Sequence, residues 1–279
     1  MFAPSSSLAG YRRAVRVLFI GDVFGKPGRS LVAAHLPRIK SSYDFIIANA
    51  ENAAGGFGLN RESLEALTQA GVGAVTLGNH AWDNKEIFKL LDDPRIIRPL
   101  NASIEAPGRG WGTFTVGSEK LTVVNLLGRV FMNPAYDNPY NALEGVLEQQ
   151  NLGAVFVDFH AEATSEKACL SYHFDGRIAA VIGTHTHVAT ADTRFLPLGT
   201  AFQSDSGMTG VIDSSIGMSL EGSIYKLRTG LPMKTEVALG RSKLNAVALE
   251  ITASKVTKIV RYTYTEDDAT GAFEGEVQR

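Results

Sequence analysis

An α/β fold with a mixed sheet system and helices outside is what three features of the sequence predict. Short, near-continuous apolar runs recur, the mark of strands covered on both faces. Stretches with helical spacing fall between most of them. Polar, metal-compatible side chains sit just beyond the ends of several runs, where open α/β sheets bind their ligands.

The 279 residues are 44% hydrophobic in type, enough for a sizeable core. With a formal net charge of -2 and no Lys/Arg cluster, the chain shows no polyanion-binding surface. The single Cys169 excludes an intramolecular disulfide framework and a thiolate metal cluster, and is compatible with a reducing cytoplasm. No apolar run approaches the ~20 residues of a membrane span. Met1 to Ser7 lacks the charged start and apolar core of a signal peptide. The expected organisation is one domain over 14–266, a loose leader over 1–13 and a C-terminal tail over 267–279, the stretch Glu266–Gly271 reading as frayed.

Val15–Ile20 reads as a buried central strand ending in Gly21-Asp22. A helix opens at Pro27-Gly28 and carries Leu31, Ala34, Leu36 and Ile39. Phe45–Ala48 is a second strand, ending in Asn49-Ala50-Glu51-Asn52 before the glycine-rich Gly55-Gly56-Phe57-Gly58. Arg61–Ala70 is a helix stopped by Gly71. Ala74–Leu77 is a third strand, ending in Gly78-Asn79-His80, and Asp83–Leu91 a short helix closed by Pro94.

Thr113–Val116 and Leu121–Leu126 read as an antiparallel pair around Gly117–Lys120. A turn-rich insertion over 131–140 carries Phe131, Met132, Tyr136 and Tyr140, and fits a substrate rim, an oligomer contact or loop packing. Asn141–Gln149 is helical. Ala154–Val157 is a strand ending in Asp158-Phe159-His160, and Glu162–Tyr172 is helix-like. Ile178–Ile182 is a strand leading to Gly183-Thr184-His185-Thr186-His187. Ala201–Gln203 is extended, Gly207–Gly210 a turn, and Ala246–Ile251 with Lys258–Tyr264 an antiparallel hairpin.

Asp22, Glu51 with Asn52, Asn79 with His80, His160, and His185 with His187 all follow strand ends. Four of the six histidines fall in this set; His35 and His173 lie in helical patterns and read as ordinary surface or core residues. Carboxylates, carboxamides and imidazoles without thiolate make an O/N site suited to Mn, Fe, Co, Ni or Zn. The groups are too many for one ion and fit two sharing a carboxylate. Each residue also has a plain structural role. Asp22 could cap a helix, Glu51 could be exposed, Asn79 could be a left-handed turn residue, and His160 a satisfied loop histidine. Their coincidence at strand ends favours the dinuclear centre.

Gly-Asp, then Gly-Asn-His, then a lone His, then Gly-x-His-x-His resembles the calcineurin-like metallophosphoesterases. The detailed resemblance is to the YmdB-like branch of bacterial phosphodiesterases. It rests on Phe19–Val23, Asn49–Gly56, Leu77–His80, Asp158–Glu162, Gly183–His187 and Gly207–Gly210. The usual Asp-x-His has Phe24 in place of its histidine, and Glu51 stands where the wider superfamily has an aspartate; both departures resemble the YmdB-like pattern.

The resemblance implies a four-layer α/β/β/α sandwich of the metallophosphoesterase type. It implies a two-metal phosphodiesterase using metal-activated water, with iron or manganese foremost and zinc, cobalt or nickel as alternatives. Cyclic nucleotides (2′,3′- or 3′,5′-cyclic) are the implied substrates, with RNA-related phosphodiesters beside them, and a cytoplasmic homo-oligomer is expected. Asp22, Glu51, Asn52 and His187 would hold one ion, and Glu51, Asn79, His160 and His185 the other. His80 would protonate the leaving oxygen or steady the transition state. A regulatory nucleotide- or RNA-binding protein with incidental turnover, or a phosphomonoesterase or nucleotidase on the same scaffold, are the alternatives.

Overall fold

Strand Val15–Ile20 (β1) carries apolar side chains on both faces because both faces are covered. A computed structural model of the chain describes residues 13–133, 136–267 and 271–279. In order, β1 is followed by α1 (Gly25–Ile39), β2 (Phe45–Asn49), α2 (Arg61–Ala70), β3 (Ala74–Thr76), β4 (Ile96–Ile97) and the hairpin β5 (Trp111–Val116) and β6 (Glu119–Leu127). Then come α3 (Pro139–Leu147), β7 (Ala154–His160), α4 (Thr164–His173), β8 (Ala180–Thr184), β9 (Arg194–Phe195), β10 (Ala201–Gln203) and β11 (Gly210–Val211). The remaining elements are α5 (Leu220–Thr229), β12 (Ser242–Thr252), β13 (Lys255–Thr265) and β14 (Ala272–Gln278).

Among the described residues the strands form two sheets. One runs β14-β13-β12-β1-β2-β3-β4, with β11 also on β12; the other runs β5-β6-β7-β8-β10-β9. β1, β2 and β3 are mutually parallel, and so are β6, β7 and β8. Alternation along each strand sorts the side chains into three cores. Val17 and Phe19 of β1 join Phe156 and Ile182 from the other sheet in the central core. Leu18 and Ile20 turn the other way, onto Leu31 and Leu36 of α1 and Leu64 and Leu67 of α2. On the far side, Val157 and Val181 pack with Leu143 of α3 and Leu170 of α4. The result is the four-layer α/β/β/α sandwich. Phe19 and Phe156 meet across the sheet interface with ring centroids 5.0 Å apart.

The two sheets are also tied by polar contacts where their parallel strands end. Asp158 of β7 accepts hydrogen bonds from Asn49 Nδ2 of β2 (2.9 Å) and Thr76 Oγ1 of β3 (2.5 Å). These contacts bring the C-terminal ends of both parallel sets to one pocket.

Two expectations change. Asp83–Leu91 is not an α-helix: the segment has only a 3-10 turn over Lys85–Lys89, because Asn84 caps it by accepting from Glu86 N and Pro94 follows closely. The stretch assigned to a tail contains β14, which pairs with β13 in register Ile259↔Val277 and Tyr262↔Phe273. Its backbone pairing, aided by the Lys258–Glu276 contact at 2.7 Å, offsets its few apolar residues. Part of the stretch read as frayed, and residues 1–12 of the leader, lie outside the described residues, as does part of the 131–140 insertion. Within that insertion Met132 is buried, Tyr136 Oη accepts from Trp82 Nε1 at 2.8 Å, and Tyr140 lies in the first turn of α3.

Candidate metal centre

Every side chain singled out beyond a strand end arrives at the same pocket. Asp22 follows β1; Glu51 and Asn52 follow β2; Asn79 and His80 follow β3. His160 ends β7, and His185 and His187 follow β8. Asp22, Glu51, Asn52 and His160 are buried. Glu51 is therefore not the exposed residue its small neighbours allowed, and the N-cap position of α1 is Phe24 rather than Asp22.

Two ligand groups overlap at Glu51. Glu51, His160 and His185 form one, and Asp22, Glu51 and His187 the other, their ligand atoms within 4.8 Å of one another in each. In the first group, His160 Nε2 lies 2.9 Å from Asn79 Oδ1, 3.1 Å from Glu51 Oε1 and 3.1 Å from His185 Nδ1. In the second, His187 Nε2 is 3.7 Å from Asp22 Oδ1 and 3.1 Å from Asn52 Nδ2, which also donates to Glu51 Oε1 at 3.0 Å. The amide of Asn52 thus presents its nitrogen to this group.

The outer nitrogens of the three histidines are all engaged. His160 Nδ1 donates to Thr184 Oγ1 (2.9 Å), whose own proton goes to Asp158 Oδ1 (2.6 Å). His187 Nδ1 donates to the Ile216 carbonyl (2.8 Å), and His185 Nε2 approaches Glu162 Oε2 (3.1 Å). Each contact engages one ring nitrogen and directs the opposite one inward, the arrangement that serves a metal ligand once that nitrogen gives up any proton it carries. Asp22 Oδ1 is buried with no hydrogen-bond partner among the described residues. An orphaned carboxylate oxygen of this kind costs free energy unless a cation meets it. The donor set, three imidazoles with two carboxylates and two carboxamides, fits a pair of transition-metal ions.

The electrostatics agree. Burial would lift the Glu51 carboxyl, but the charge and hydrogen bond of His160 outweigh it and hold Glu51 at about 2. Burial would lower the His160 imidazole, yet Glu51, Asp22 and Asp158 raise it to about 9. Burial pushes Asp22 up, against the pull of His187 and His160. Burial and the neighbouring His160 push His185 down to about 3. The pocket is thus arranged around one positive charge, which a bound cation would supply in place of the His160 proton.

Two glycines of the motifs are required by close approach. A Cβ on Gly78 would collide with Glu51 Oε2 and the His160 ring, and one on Gly183 with the Ser204 carbonyl. His185 and His187 both take positive φ, 102° and 66°, strain of the sort held only where surrounding contacts enforce it. Here His185 N donates to Asp22 Oδ2 at 3.3 Å. Thr186 N donates to Asp205 Oδ2 at 3.0 Å, and Asp205 is paired with the buried Lys167 at 2.9 Å.

His80 stands apart from both groups. Its backbone N donates to Glu51 Oε2 at 3.0 Å, while its ring nitrogen Nδ1 bonds Asp83 Oδ2 at 2.7 Å. The supporting residues Asp83, Glu162, Lys167, Thr184 and Asp205 were not singled out from the sequence. Glu162 and Thr184 lie inside the motif segments, and that adjacency is the only signal they carry. His35 and His173 are remote from the pocket, as expected: His35 is buried against Tyr262 Oη at 2.6 Å, and His173 packs edge-on to Tyr140.

Two stacked sheets whose parallel strands converge on a shared carboxylate, flanked by imidazoles and carboxamides, define a metallophosphoesterase. The chain belongs to the YmdB-like protein family, whose model matches residues 18–262. It is 44% identical over 260 residues to a 2′,3′-cyclic-nucleotide 2′-phosphodiesterase of Bacillus subtilis (strain 168), covering 91% of this chain and 98% of that protein. A crystal structure of a hypothetical protein from Thermus thermophilus superposes with TM-score 0.88 at 46% identity, covering 90% of this chain and all (100%) of that one. A Mycoplasma pneumoniae structure described as a novel phosphatase gives TM-score 0.87 at 35% identity, covering 93% and 96% of the two chains. The NAD nucleotidase of Haemophilus influenzae, at 12% identity and TM-score 0.58, shares the fold. Among the described residues no helix is long and apolar enough to cross a membrane.

Proposed function

We propose that the chain is a dinuclear metal-dependent phosphodiesterase acting on cyclic nucleotides, foremost 2′,3′-cyclic ones. The observation that carries this reading is the shared Glu51, with Asp22 and His187 on one side and His160 and His185 on the other. The similarity to the Bacillus subtilis enzyme supplies the substrate class.

In this reading Asp22, Glu51, Asn52 and His187 hold one ion, and Glu51, Asn79, His160 and His185 the other. Asn52 would ligate through Oδ1, so its amide would turn over from its present orientation. Iron or manganese is the proposed metal. Bound there, the two cations would polarise a phosphoryl group and lower the pKa of a bound water. His80 protonates the leaving oxygen through Nε2. Asp83 keeps the His80 ring oriented through Nδ1. Acid catalysis of this type contributes ~10²–10⁴-fold. Residues 14–266 together with β14 are proposed to act as one domain in a cytoplasmic homo-oligomer, with RNA-related phosphodiesters as secondary substrates.

The test is elemental analysis of the purified protein, with rates on 2′,3′- and 3′,5′-cyclic nucleotides. Two metal equivalents per chain and turnover of a cyclic nucleotide are expected. A metal-loaded protein that turns over neither class overturns the reading. The Mycoplasma pneumoniae neighbour is described as a phosphatase, which favours a phosphomonoesterase as the second reading. Faster hydrolysis of p-nitrophenyl phosphate than of bis-p-nitrophenyl phosphate would select it.

A further inference from the structure

Phe57 is a large aromatic side chain left 44% exposed between residues that are fully buried, Ala53 and Leu59. It lies at the lip of the metal pocket. Its ring stands edge-on to the His80 imidazole, with centroids 4.9 Å apart and planes at 73°.

The loop that presents it is tightly built. Ala54 N donates to Gly58 O at 2.9 Å, Gly56 N to Asn52 O at 3.1 Å, and Phe57 N to Ala54 O at 3.4 Å. Gly56 and Gly58 have φ of 95° and 76°, and a Cβ on Gly58 would press on Asn84. The loop is therefore anchored directly to Asn52, one residue beyond Glu51. A rigid apolar ring held half in water beside a polar pocket contributes little to the core. It is instead preorganised to receive another flat apolar surface.

We infer that Phe57 is the platform on which the nucleobase of the substrate stacks, and so a specificity-determining residue. The inference rests on the proposed phosphodiesterase reading. When a 2′,3′-cyclic nucleotide opens, the leaving oxygen is a ribose hydroxyl oxygen. If His80 protonates that oxygen, the ribose lies against the His80 ring. The base then projects one sugar beyond it, toward the ring that touches His80. Every base has a π-face, so stacking on Phe57 accepts all four bases and favours the larger purines. Phe131, still more exposed at 88%, has no comparable contact with a pocket residue among the described contacts.

The test compares Phe57→Ala and Phe57→Trp with the parent protein, all metal-loaded and checked for equal metal content. Substrates are adenosine 2′,3′-cyclic phosphate, its uridine counterpart, and glycerol 1,2-cyclic phosphate, which has the ring but no base. Phe57→Ala is expected to raise KM for the adenosine substrate about tenfold, and less for uridine, with kcat nearly unchanged. The glycerol substrate should be unaffected, and Phe57→Trp should restore the adenosine KM. An unchanged adenosine KM overturns the inference. An equal loss on the glycerol substrate also overturns it, because the ring would then be serving His80 rather than a base. Titration calorimetry with adenosine 3′-monophosphate and ribose 5-phosphate reads the platform without turnover. Phe57→Ala should weaken only the adenosine ligand, also about tenfold. Failure of all turnover with that selective loss intact would sink the phosphodiesterase reading and leave the platform standing. Equal affinity of parent and variant for adenosine 3′-monophosphate would sink the platform alone.

Discussion

Replacing Lys167 by Met should cost far more than a surface charge would. The Lys167 and Asp205 side chains are 2% and 1% exposed, with Nζ 2.9 Å from Oδ2. Nζ also donates to the Thr184 carbonyl at 2.9 Å. Removing the ammonium leaves the Asp205 carboxylate buried with two backbone donors, Thr186 N and Gly207 N. Breaking one partner of such a pair costs about 3–5 kcal/mol. In a domain of this size that lowers the midpoint of thermal unfolding by roughly 10 °C. The assay is urea and thermal unfolding of chelator-treated protein, followed by circular dichroism. The loss should persist at high salt, since a buried pair is screened little. The double variant Lys167→Met, Asp205→Leu removes both charges and should be more stable than Lys167→Met alone. It should still bind metal more weakly than the parent, because Thr186 N and Gly207 N, which flank the His187 turn, lose their acceptor. If Lys167→Met falls within about 1 kcal/mol of the parent, the pair acts as a surface contact and the reasoning fails.

Glu51→Gln should reduce bound metal and abolish hydrolysis of a model phosphodiester, since the one carboxylate common to both ligand groups loses its charge; unchanged metal and rate would refute its bridging role. His80→Ala should retain both metals by elemental analysis yet lose ~10²–10⁴ in kcat, and loss of metal would show that His80 is a ligand instead. Thr184→Val removes the hydroxyl between His160 Nδ1 and Asp158 Oδ1, so metal affinity measured by competition with a chromophoric chelator should fall ~10–100-fold; an unchanged affinity would show that the tautomer is fixed elsewhere. Chelator treatment should remove activity, and added manganese or iron should restore it.

The strands were legible because burial on both faces leaves a direct trace in composition. Val15–Ile20 reads as a buried strand whatever covers it. What covers it is not written there: Val17 and Phe19 face the second sheet while Leu18 and Ile20 face helices, and all four are simply apolar. The layer order therefore came from family resemblance rather than from pattern. β14 leaves little trace in the sequence because its residues are mostly exposed and show no continuous apolar run, its place being set by pairing with β13. Nothing in the sequence around Lys167 marks it as buried, and only the fold turns it inward onto Asp205.

The metal pocket divides along the same physical line. A histidine after a strand end can be found by its position, so His160, His185 and His187 were visible. Which nitrogen each one offers depends on a partner brought from another segment: Thr184 backed by Asp158 for His160, Glu162 for His185, the Ile216 carbonyl for His187. Those partners are distant in chain order, 24 residues for Thr184 and 29 for Ile216, and carry no periodic signal. Ligand type is a local property of this sequence, whereas ligand readiness is a property of the assembled sheets. A variant can therefore keep every ligand and still lose metal, as the Thr184→Val experiment is designed to show.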